Sequence, residues 1–426
     1  MQYRPAKGMN DILPDEIDRW HHLESTFRRI VERCRYAEVR TPVVEPTSLF
    51  VRSIGEATDV VEKEMYSFAH SSEHLTLRPE GTAGAVRAYL SNQMPSREPV
   101  TRWYYLGPMF RAERPQKGRY RQFYQAGCEL FGDPGPICDA ELIDMLVTLL
   151  RDLGVGGVEV HVNSIGGHTA RAAYRDALLD FLRPRAAELS EHARGRLEAN
   201  PLRVLDSKHP QDQQVVQDAP SVLEVLPEDD LAHWDGLRRA LDVLETPYNV
   251  APRLVRGLDY YTRTLFEITA TGGDLGAQNT LLGGGRYDGL VRELGGPTVP
   301  AIGFAMGIER ILLAMDPGGR PTSPCCYVAP FGQAAQLQAL EVARDLRATG
   351  VSVDLDGRGN SLKSMLRRAD SVGARVCLVI GPTEAERGMV QVKDLVAHTQ
   401  QEIERASVTA FVGGLLQASS AEGELQ

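Results

Sequence analysis

The residues with the clearest chemical potential lie in segment 110–123, which contains five basic side chains and one acid, Glu113. The basic residues are Arg111, Arg114, Lys117, Arg119 and Arg121. Guanidinium groups carry forked donors that match polyphosphate oxygens, so Arg111, Arg119 and Arg121 suit such a ligand. The ring of Phe123 is suited to stack on a flat base. Composition alone, however, favours a solvated charged hairpin.

An even spacing links Phe123, Gln125 and Glu129, so on a β-strand their side chains point to one face. They would then line a single groove with an aromatic platform, an amide and a carboxylate. The residues around them predict this geometry, because 100–132 resembles two antiparallel strands joined by a polar loop. The run 103–106, Trp-Tyr-Tyr-Leu, strongly favours the first of these strands.

Other elements must position this hairpin. Pro14 suits a first helical position, and apolar residues recur from there to Cys34 at helical spacing, which predicts an amphipathic helix. We expect a second amphipathic helix over 139–153 and a strand over 158–163. A further helix is predicted over 302–315.

The chain changes character twice. From about 169 to 247 strand signals vanish and Ala, Leu, Arg and Glu dominate, which predicts a helical insertion. The stretch 317–324 is rich in Pro and Gly and is a linker candidate. Beyond it, a βαβαβ pattern predicts a small sheet of parallel character covered by helices. The predicted domains are a core of 1–168 and 248–318, an insertion of 169–247 and an α/β domain of 325–426.

Composition sets broad limits. The 426 residues, 42% of them hydrophobic, can bury a large core. A net charge of -10 excludes a uniformly basic surface but leaves room for a local basic patch that binds nucleic acid. The six cysteines show no C-x-x-C spacing, so we expect reduced thiols and no zinc site. Without a secretory h-region or a membrane-spanning run, we expect a soluble cytoplasmic protein with no membrane partner.

Three segments, in order, resemble the motifs of the class II aminoacyl-tRNA synthetases. Thr41-Pro42, after the first helix, resembles motif 1, and segment 110–123 resembles motif 2. Residues 303–310, Gly-Phe-Ala-Met-Gly-Ile-Glu-Arg, resemble motif 3 and end at Arg310. An isolated arginine there is about as well explained as a helix residue extending from an apolar face.

Two further segments resemble the signature peptides of the histidyl-tRNA synthetase family. They are 254–263, Leu-Val-Arg-Gly-Leu-Asp-Tyr-Tyr-Thr-Arg, and 283–290, Gly-Gly-Gly-Arg-Tyr-Asp-Gly-Leu; residues 78–82 match as well. The resemblance covers nearly the whole chain. It implies an α+β catalytic domain with an antiparallel sheet, a helical insertion and a C-terminal anticodon-binding α/β domain. From pattern alone, 325–426 reads as a generic small α/β module.

The resemblance implies that the chain activates L-histidine with ATP to histidyl-adenylate, releases pyrophosphate and transfers histidine to the 3′ end of its tRNA. We expect Mg²⁺ to arrive with ATP, and we assign no protein ligand to it. The resemblance also implies a homodimer formed through the motif 1 region, an insertion that contacts the acceptor stem, and a tRNA partner.

The resemblance also assigns site residues. The histidine-binding residues are Glu80, Gly81, Thr82, Gln125, Glu129, Tyr260, Tyr261 and Tyr287. The catalytic residues are Arg256 and Arg111, and the ATP-binding residues are Arg111, Glu113, Arg119, Arg121, Phe123 and Arg310. The residues for the tRNA acceptor end are Arg114, Gln116 and Lys117. An amino-acid ammonium group needs oxygen acceptors, and an imidazole needs a partner that forms hydrogen bonds with its N–H groups. Taken alone, Glu80 or Glu129 would be explained more simply as a partner in a structural ion pair.

Three other functions are compatible with parts of this pattern. The first is a non-catalytic synthetase-like regulatory subunit of histidine biosynthesis, against which Arg256, the tyrosines 260 and 261 and the C-terminal domain argue. The second is a class II enzyme for another amino acid, which would not need the polarity of Glu129 and Tyr261. The third is an RNA-binding module, which would leave the ATP-binding residues unexplained.

Overall fold

The computed structural model describes residues 3–423, apart from positions 56, 57, 59, 199, 257–259, 274, 276–278, 316–324, 359 and 360. The chain divides into two compact units, Met1–Gly318 and Gly319–Gln426. The predicted linker, 317–324, lies outside the described residues. Within the described ranges, no helix combines the length and hydropathy that a membrane crossing requires.

The first unit is built on a mixed sheet of eight strands, with a second sheet of three strands beside it. The strands are β1 Ala37–Glu38, β2 Val44–Pro46, β3 Tyr66–His70, β4 Glu73–Leu77, β5 Thr101–Phe110, β6 Gln122–Phe131, β7 Val158–Ser164, β8 Asn249–Val250, β9 Thr262–Ala270, β10 Thr280–Arg286 and β11 Ala301–Gly307. The large sheet has the order β1-β5-β6-β11-β10-β9-β7-β8, and the small sheet has the order β2-β4-β3. All pairs from β5 across to β7 are antiparallel, as predicted. Only the outer pairs, β1 with β5 and β7 with β8, are parallel among the described strands.

Helices cover this sheet and fill the connections. They are α1 Pro14–Arg33, α2 Thr47–Ile54, α3 Thr82–Ser91, α4 Met94–Arg97, α5 Pro136–Asp152, α6 His168–Leu182, α7 Glu191–Arg196, α8 Leu202–Leu205, α9 Pro210–Val216, α10 Glu228–Val243, α11 Leu290–Glu293 and α12 Ile308–Ala314. Shorter helical turns lie at Val60–Glu64, Arg183–Glu188 and Val222–Glu224.

The predicted first helix is confirmed. It begins at Pro14, where the missing N–H costs no helical hydrogen bond, and it ends at Arg33. Its apolar face buries Trp20, Leu23 and Phe27 against the largest apolar cluster of the unit, to which α5 and the central strands also contribute. This burial fixes one side of the sheet and leaves the other side available for a site.

The predicted hairpin is also confirmed. Strands β5 and β6 pair from Thr101 opposite Phe131 to Phe110 opposite Gln122. The register leaves residues 111–121 as the connecting loop, which closes on itself through backbone hydrogen bonds between Gln116 and Arg119 of 2.9 and 3.1 Å.

The helix predicted over 302–315 is wrong in its first half. Residues Ala301–Gly307 form β11, which pairs with β6 on one side and β10 on the other, and helix α12 begins only at Ile308. The pairing outweighs helical propensity because Gly303 and Gly307 are weak helix formers. A short apolar run buried on both faces gives no periodicity that separates strand from helix.

The segment predicted as a helical insertion contains helices α6–α10 and no strand among its described residues. It has its own apolar cluster, which includes Tyr174, Leu178 and Val222. Helix α10 is also tied to the large sheet, because the Asp230 carboxylate accepts the Gly167 N–H at 2.8 Å and the Arg263 Nε–H at 2.9 Å.

The second unit is a five-stranded sheet with the order β13-β12-β14-β15-β16. Its elements are β12 Cys325–Pro330, α13 Gln333–Ala348, β13 Ser352–Leu355, α14 Leu362–Ser371, β14 Ala374–Ile380, α15 Pro382–Arg387, β15 Met389–Asp394, β16 Thr399–Glu404 and α16 Arg405–Gly423. The βαβαβ prediction is confirmed, since β12 pairs in parallel with β13 and β14. The antiparallel strands β15 and β16 and the last helix were not predicted.

Candidate active site

A cavity of about 1270 Å³ opens over the sheet face formed by β6, β9, β10 and β11. Its other walls include the β5–β6 loop, the insertion between Arg203 and Gln217, segment 250–256 and the start of α3. The predicted site residues that line it are Glu80, Thr82, Arg111, Glu113, Arg119, Phe123, Gln125, Arg256, Tyr260, Tyr261, Tyr287 and Arg310. Those outside the described lining are Gly81, Arg114, Gln116, Lys117, Arg121 and Glu129.

One wall of the cavity is formed by the charged residues Arg111, Glu113 and Arg119 at the end of the hairpin, here called the cationic arm. Arg111 donates from Nε to the carbonyl oxygen of Pro79 at 2.9 Å, and its guanidinium lies 5.3 Å from the centre of the Phe123 ring. Glu113 lies between Arg111 and Arg119, at 3.7 and 3.4 Å from their nitrogens. The flat ring of Phe123 therefore lies next to the guanidinium groups of Arg111 and Arg119, whose charge Glu113 partly neutralises. This arrangement suits a ligand in which a base is joined to phosphates.

Arg121 has a supporting position. Its Nε donates to the carbonyl oxygen of Glu113 at 3.2 Å, and its side chain lies against Gly8. The residue therefore fastens the loop to the N-terminal segment, outside the cavity lining.

Arg310, on the first turn of α12, faces the same cavity. It donates from Nε to the carbonyl oxygen of Gly118 at 3.3 Å and from Nη1 to that of Thr280 at 2.9 Å. These two hydrogen bonds hold its guanidinium at the cavity, where the carboxylates of Glu113 and Glu267 lie within electrostatic reach of it.

Arg256 lies across the cavity against the strand β10. Its Nη1 donates to Glu267 at 2.8 Å, and a Cβ added at Gly283 would overlap its guanidinium, so glycine is needed for the close approach. Its buried Nε has no hydrogen-bond partner among the described residues. Burial lowers its pKa, but Tyr261 and Glu267 act in the opposite direction and the pKa of Arg256 is raised, so it stays charged.

A second, more enclosed region begins at the N-terminus of α3. The Glu80 carboxylate accepts the backbone N–H groups of Thr82 at 2.6 Å and Ala83 at 2.9 Å, which fixes it at the helix end. Burial raises the pKa of Glu80. The carbonyl oxygen Oε1 of Gln125 is buried and has no hydrogen-bond partner among the described residues. Together they offer acceptor oxygens to a cationic group.

Behind this region lies Glu129, which is fully buried. One of its oxygens accepts the Tyr287 hydroxyl, and the other accepts the Tyr105 hydroxyl at 3.3 Å. Burial raises the pKa of Glu129 to about 8, although these hydroxyl groups and Thr82 oppose the rise. Tyr260 packs against Tyr287 with ring centres 5.6 Å apart. The result is an aromatic pocket with a carboxylate at its base.

The three loop residues predicted for the acceptor end are exposed. Arg114, Gln116 and Lys117 lie between β5 and β6, beside the cavity lining. Their position suits contact with a large ligand that enters the cavity from outside.

Three residues at the site were missed from the sequence. Glu267 lies within the apolar strand β9 and pairs with Arg256, and a lone carboxylate in such a strand was a usable signal. Glu309 accepts the backbone N–H of Tyr124 at 3.0 and 3.1 Å, and burial raises its pKa to about 7. Tyr105 donates its hydroxyl to Glu129, a contact that depends on the hairpin register.

Comparisons with known proteins place the chain in a family. Residues 8–311 match the family described as Histidyl-tRNA synthetase, and residues 325–415 match the family described as Anticodon binding domain. The chain is 64% identical to the histidine–tRNA ligase of Sorangium cellulosum over 95% of this chain and 94% of that protein. It is 48% identical to that of Thermosynechococcus vestitus, with 94% of each chain covered.

A solved structure gives the same result. The apo histidyl-tRNA synthetase of S. aureus superposes with a TM-score of 0.81 at 33% identity, covering 96% of this chain and 99% of that chain. The large sheet with its hairpin, and the separate sheet that follows, therefore have the fold of a class II aminoacyl-tRNA synthetase with an anticodon-binding domain. Within that class, the chain belongs to the histidyl-tRNA synthetase family.

Proposed function

We propose that this chain catalyses the reaction of its family: ATP-dependent activation of L-histidine to histidyl-adenylate, followed by transfer of histidine to the 3′ end of tRNA. The high identity to histidine–tRNA ligases over nearly the full length supports this activity and does not favour the regulatory subunit. The observation that carries the proposal is the cavity itself. It is lined by arginines suited to a triphosphate and by Tyr287, whose hydroxyl donates to the buried Glu129 carboxylate behind the lining, a group suited to an imidazole.

In the first step, a carboxylate oxygen of histidine attacks the α-phosphorus of ATP and pyrophosphate leaves. No proton transfer is required, so the enzyme must align the reactants and neutralise charge on phosphate oxygens. We assign Arg256 and Arg111 to the α-phosphate. Arg256 is held by Glu267 and by the close approach of Gly283, which pre-organises its guanidinium.

ATP would lie along the cationic arm. The adenine would stack on the ring of Phe123, which the Arg111 guanidinium also contacts. Glu113 and Arg119 would adjoin the base and phosphates, and Arg121 would hold the loop in place. Arg310 would bind the γ-phosphate, since two backbone carbonyls hold its permanently charged guanidinium at the cavity.

Histidine would occupy the enclosed region. Glu80, Thr82 and Gln125 would hold its ammonium, because Gln125 presents an unpartnered acceptor there among the described groups. Gly81 would allow the close packing at this turn. Glu129 and Tyr261, with Tyr260 and Tyr287 beside them, would read the imidazole. A buried polar pocket of this kind rejects side chains that leave its groups unpaired by roughly 10⁴-fold.

Mg²⁺ would enter with ATP and neutralise phosphate oxygens. Among the described residues no group of three His, Cys, Asp or Glu side chains is placed to hold a metal ion. Among the carboxylates that line the cavity, Glu113 and Glu267 are paired with arginine, and Glu80 accepts two backbone N–H groups. The residues present therefore fit an ion that keeps most of its ligands from the phosphates and water.

The tRNA would meet both units. Arg114, Gln116 and Lys117 are exposed beside the cavity and suit the acceptor end. On α14, Lys363, Arg367 and Arg368 are exposed and suit phosphates near the anticodon. Binding through such contacts weakens steeply as salt is raised.

We also propose a homodimer located in the cytoplasm, where protein synthesis uses charged tRNA. Exposed apolar side chains around the small sheet support a subunit contact near motif 1, because Val43, Val44 and Phe68 are 37%, 37% and 45% exposed. Light scattering should give twice the chain mass, and a chain that stays monomeric at assay concentration would contradict the dimer.

Pyrophosphate exchange into ATP with each of the twenty amino acids tests the proposed reaction. We expect exchange with histidine alone, and a loss of about 10³-fold in Arg256→Ala, because one preorganised donor to a developing charge is removed. Arg239→Ala, exposed on α10, is the matched control and should retain full exchange. Histidine binding without exchange in the intact chain would point to the regulatory subunit, and exchange with another amino acid would refute histidine specificity.

A further inference from the structure

Tyr105, on β5, is buried with its hydroxyl donating to Oε1 of Glu129 at 3.3 Å. The hydroxyl of Tyr287 occupies the other oxygen, Oε2. Each oxygen of the Glu129 carboxylate thus accepts one phenol, and the two phenols come from different elements. A carboxylate held from both sides has a defined plane, which a single hydrogen bond would not impose.

The strand register explains how Tyr105 reaches this carboxylate. Tyr105 lies opposite Gly127 across the hairpin, and Glu129 lies two residues further along β6 on the same face. Diagonal neighbours of this kind are within reach of an aromatic side chain. The reach depends on glycine at the intervening position, because a Cβ at Gly127 would lie 2.5 Å from the Tyr105 Oη.

Two more glycines clear space for the pair. A Cβ at Gly81, just before α3, would overlap the Tyr105 ring. A Cβ at Gly303, opposite Glu129 on β11, would overlap the carboxylate. Glycines from three separate segments therefore make room for one phenol–carboxylate contact.

We infer that Tyr105 is a positioning residue for histidine recognition, which holds the Glu129 carboxylate in the orientation that accepts an imidazole N–H. This inference rests on the proposed function and adds to it a residue that never touches the substrate.

The groups around Glu129 predict the direction in which its pKa should change when the Tyr105 hydroxyl is removed. Burial raises its pKa, the hydroxyls of Tyr287, Thr82 and Tyr105 lower it, and the nearby charge of Glu80 raises it further. The other ionisable groups that interact with it are Tyr260, Tyr261 and Cys128. Because the Tyr105 hydroxyl stabilises the ionised form, its removal should raise the pKa of Glu129 and reduce the ionised fraction at neutral pH.

The test is Tyr105→Phe, assayed by pyrophosphate exchange from pH 6 to pH 9. We expect the KM for histidine at neutral pH to rise about tenfold, as befits loss of a hydrogen bond to a charged group, with the KM for ATP unchanged. The acid limb of kcat/KM for histidine should move to higher pH. A role in packing alone would not move this limb.

The neighbouring tyrosine supplies a matched control. Tyr104 also donates its hydroxyl to a carboxylate, Glu32 on α1, at 2.8 Å and away from the pocket. Tyr104→Phe therefore removes the same kind of bond and should leave both KM values and the pH profile unchanged. A wild-type chain without histidine-dependent exchange would refute the proposed function instead, so the two failures are separable.

Should Tyr105→Phe fail to fold, 3-fluorotyrosine placed at position 105 keeps the shape and strengthens the donor. The acid limb should then move to lower pH. An unmoved acid limb in a folded variant of either kind, or equal rises in the KM for histidine and for ATP, would overturn the role assigned to Tyr105.

Discussion

Arg286 and Asp139 form an ion pair, with 2.7 Å between Nη1 and Oδ1, in which neither side chain is exposed to solvent. The other oxygen of Asp139 accepts the Thr264 hydroxyl at 2.6 Å and lies 2.9 Å from Nε2 of His233. One carboxylate thus connects α5, β9, the end of β10 and the insertion helix α10. Arg286 also immediately precedes Tyr287, so the network supports the base of the imidazole pocket.

We predict that Asp139→Asn strongly destabilises the first unit. The substitution removes the nearer of two carboxylates that compensate the buried Arg286 guanidinium, the other being Asp288 at 3.3 Å, and breaking a comparable buried pair costs about 3–5 kcal/mol. Urea unfolding followed by tryptophan fluorescence measures the change. Glu198→Gln breaks the exposed pair with Arg183 and serves as the control, with an unchanged midpoint. Equal effects of the two substitutions would show that the buried network contributes little.

Gly283→Ala should impair adenylate formation while leaving the fold intact. The added methyl group would displace the Arg256 guanidinium from β10, and a misplacement of about 1 Å at a reacting centre can cost roughly 10²-fold in rate. Single-turnover measurement of adenylate formation tests this. A Cβ at Gly156 meets no atom within 4 Å among the described residues, so Gly156→Ala is the control. Normal adenylate formation by Gly283→Ala would argue against a central role for Arg256.

Glu309 predicts a pH dependence of stability. Its pKa is raised by burial from 4.5 to about 7 in the folded chain, so between these values the folded state keeps a proton that the unfolded state releases. The stability it contributes is full below about pH 4.5 and is lost as the pH rises through about 7, by about 3 kcal/mol at most.

Glu309→Gln should remove this component, since an amide oxygen can still accept the Tyr124 N–H. Urea unfolding at intervals from pH 4.5 to 8 would show a flatter profile than in the wild type. Glu16→Gln, exposed on α1, should keep the wild-type profile. Parallel profiles for wild type and Glu309→Gln would contradict the prediction.

Substitutions in the β5–β6 loop should affect the transfer to tRNA without affecting the activation of histidine. Arg114→Ala and Lys117→Ala should lower kcat/KM for tRNA and leave pyrophosphate exchange unchanged, because these side chains are exposed beside the cavity lining. If each contacts a phosphate, the slope of log affinity against log salt should fall by about one per substitution. Arg33→Ala, at the end of α1, is the control. Impaired exchange in either loop variant would place these residues in the ATP site instead.

The sequence predicted the elements whose signals are local. Helix α1 carries its own start signal at Pro14 and a regular apolar stripe, and β5 and β6 carry strand-forming residues around a polar loop. Family resemblance then supplied the order of motifs and most residues of the cavity. The roles of those residues, and the domain boundaries, stay predictions.

What could not be predicted depends on contacts between distant segments. The strand β11 was taken for helix because its partners, β6 and β10, determine its conformation. The network of Asp139 brings together residues from four elements, and no spacing in the chain shows that they meet. Tyr105 was read only as a strand former, because its role depends on a hairpin register and on glycines elsewhere.

The place of β11 in the sheet has a consequence for biosynthesis. Among the described strands of the first unit it is the last to emerge from the ribosome, yet it joins strands β1-β5-β6 to strands β10-β9-β7-β8. Until residues 301–307 are available, the nascent chain carries two strands with open edges, which invite wrong pairing. The nascent chain is therefore most exposed to wrong strand pairing late in translation, and slow elongation just before β11 would prolong this interval.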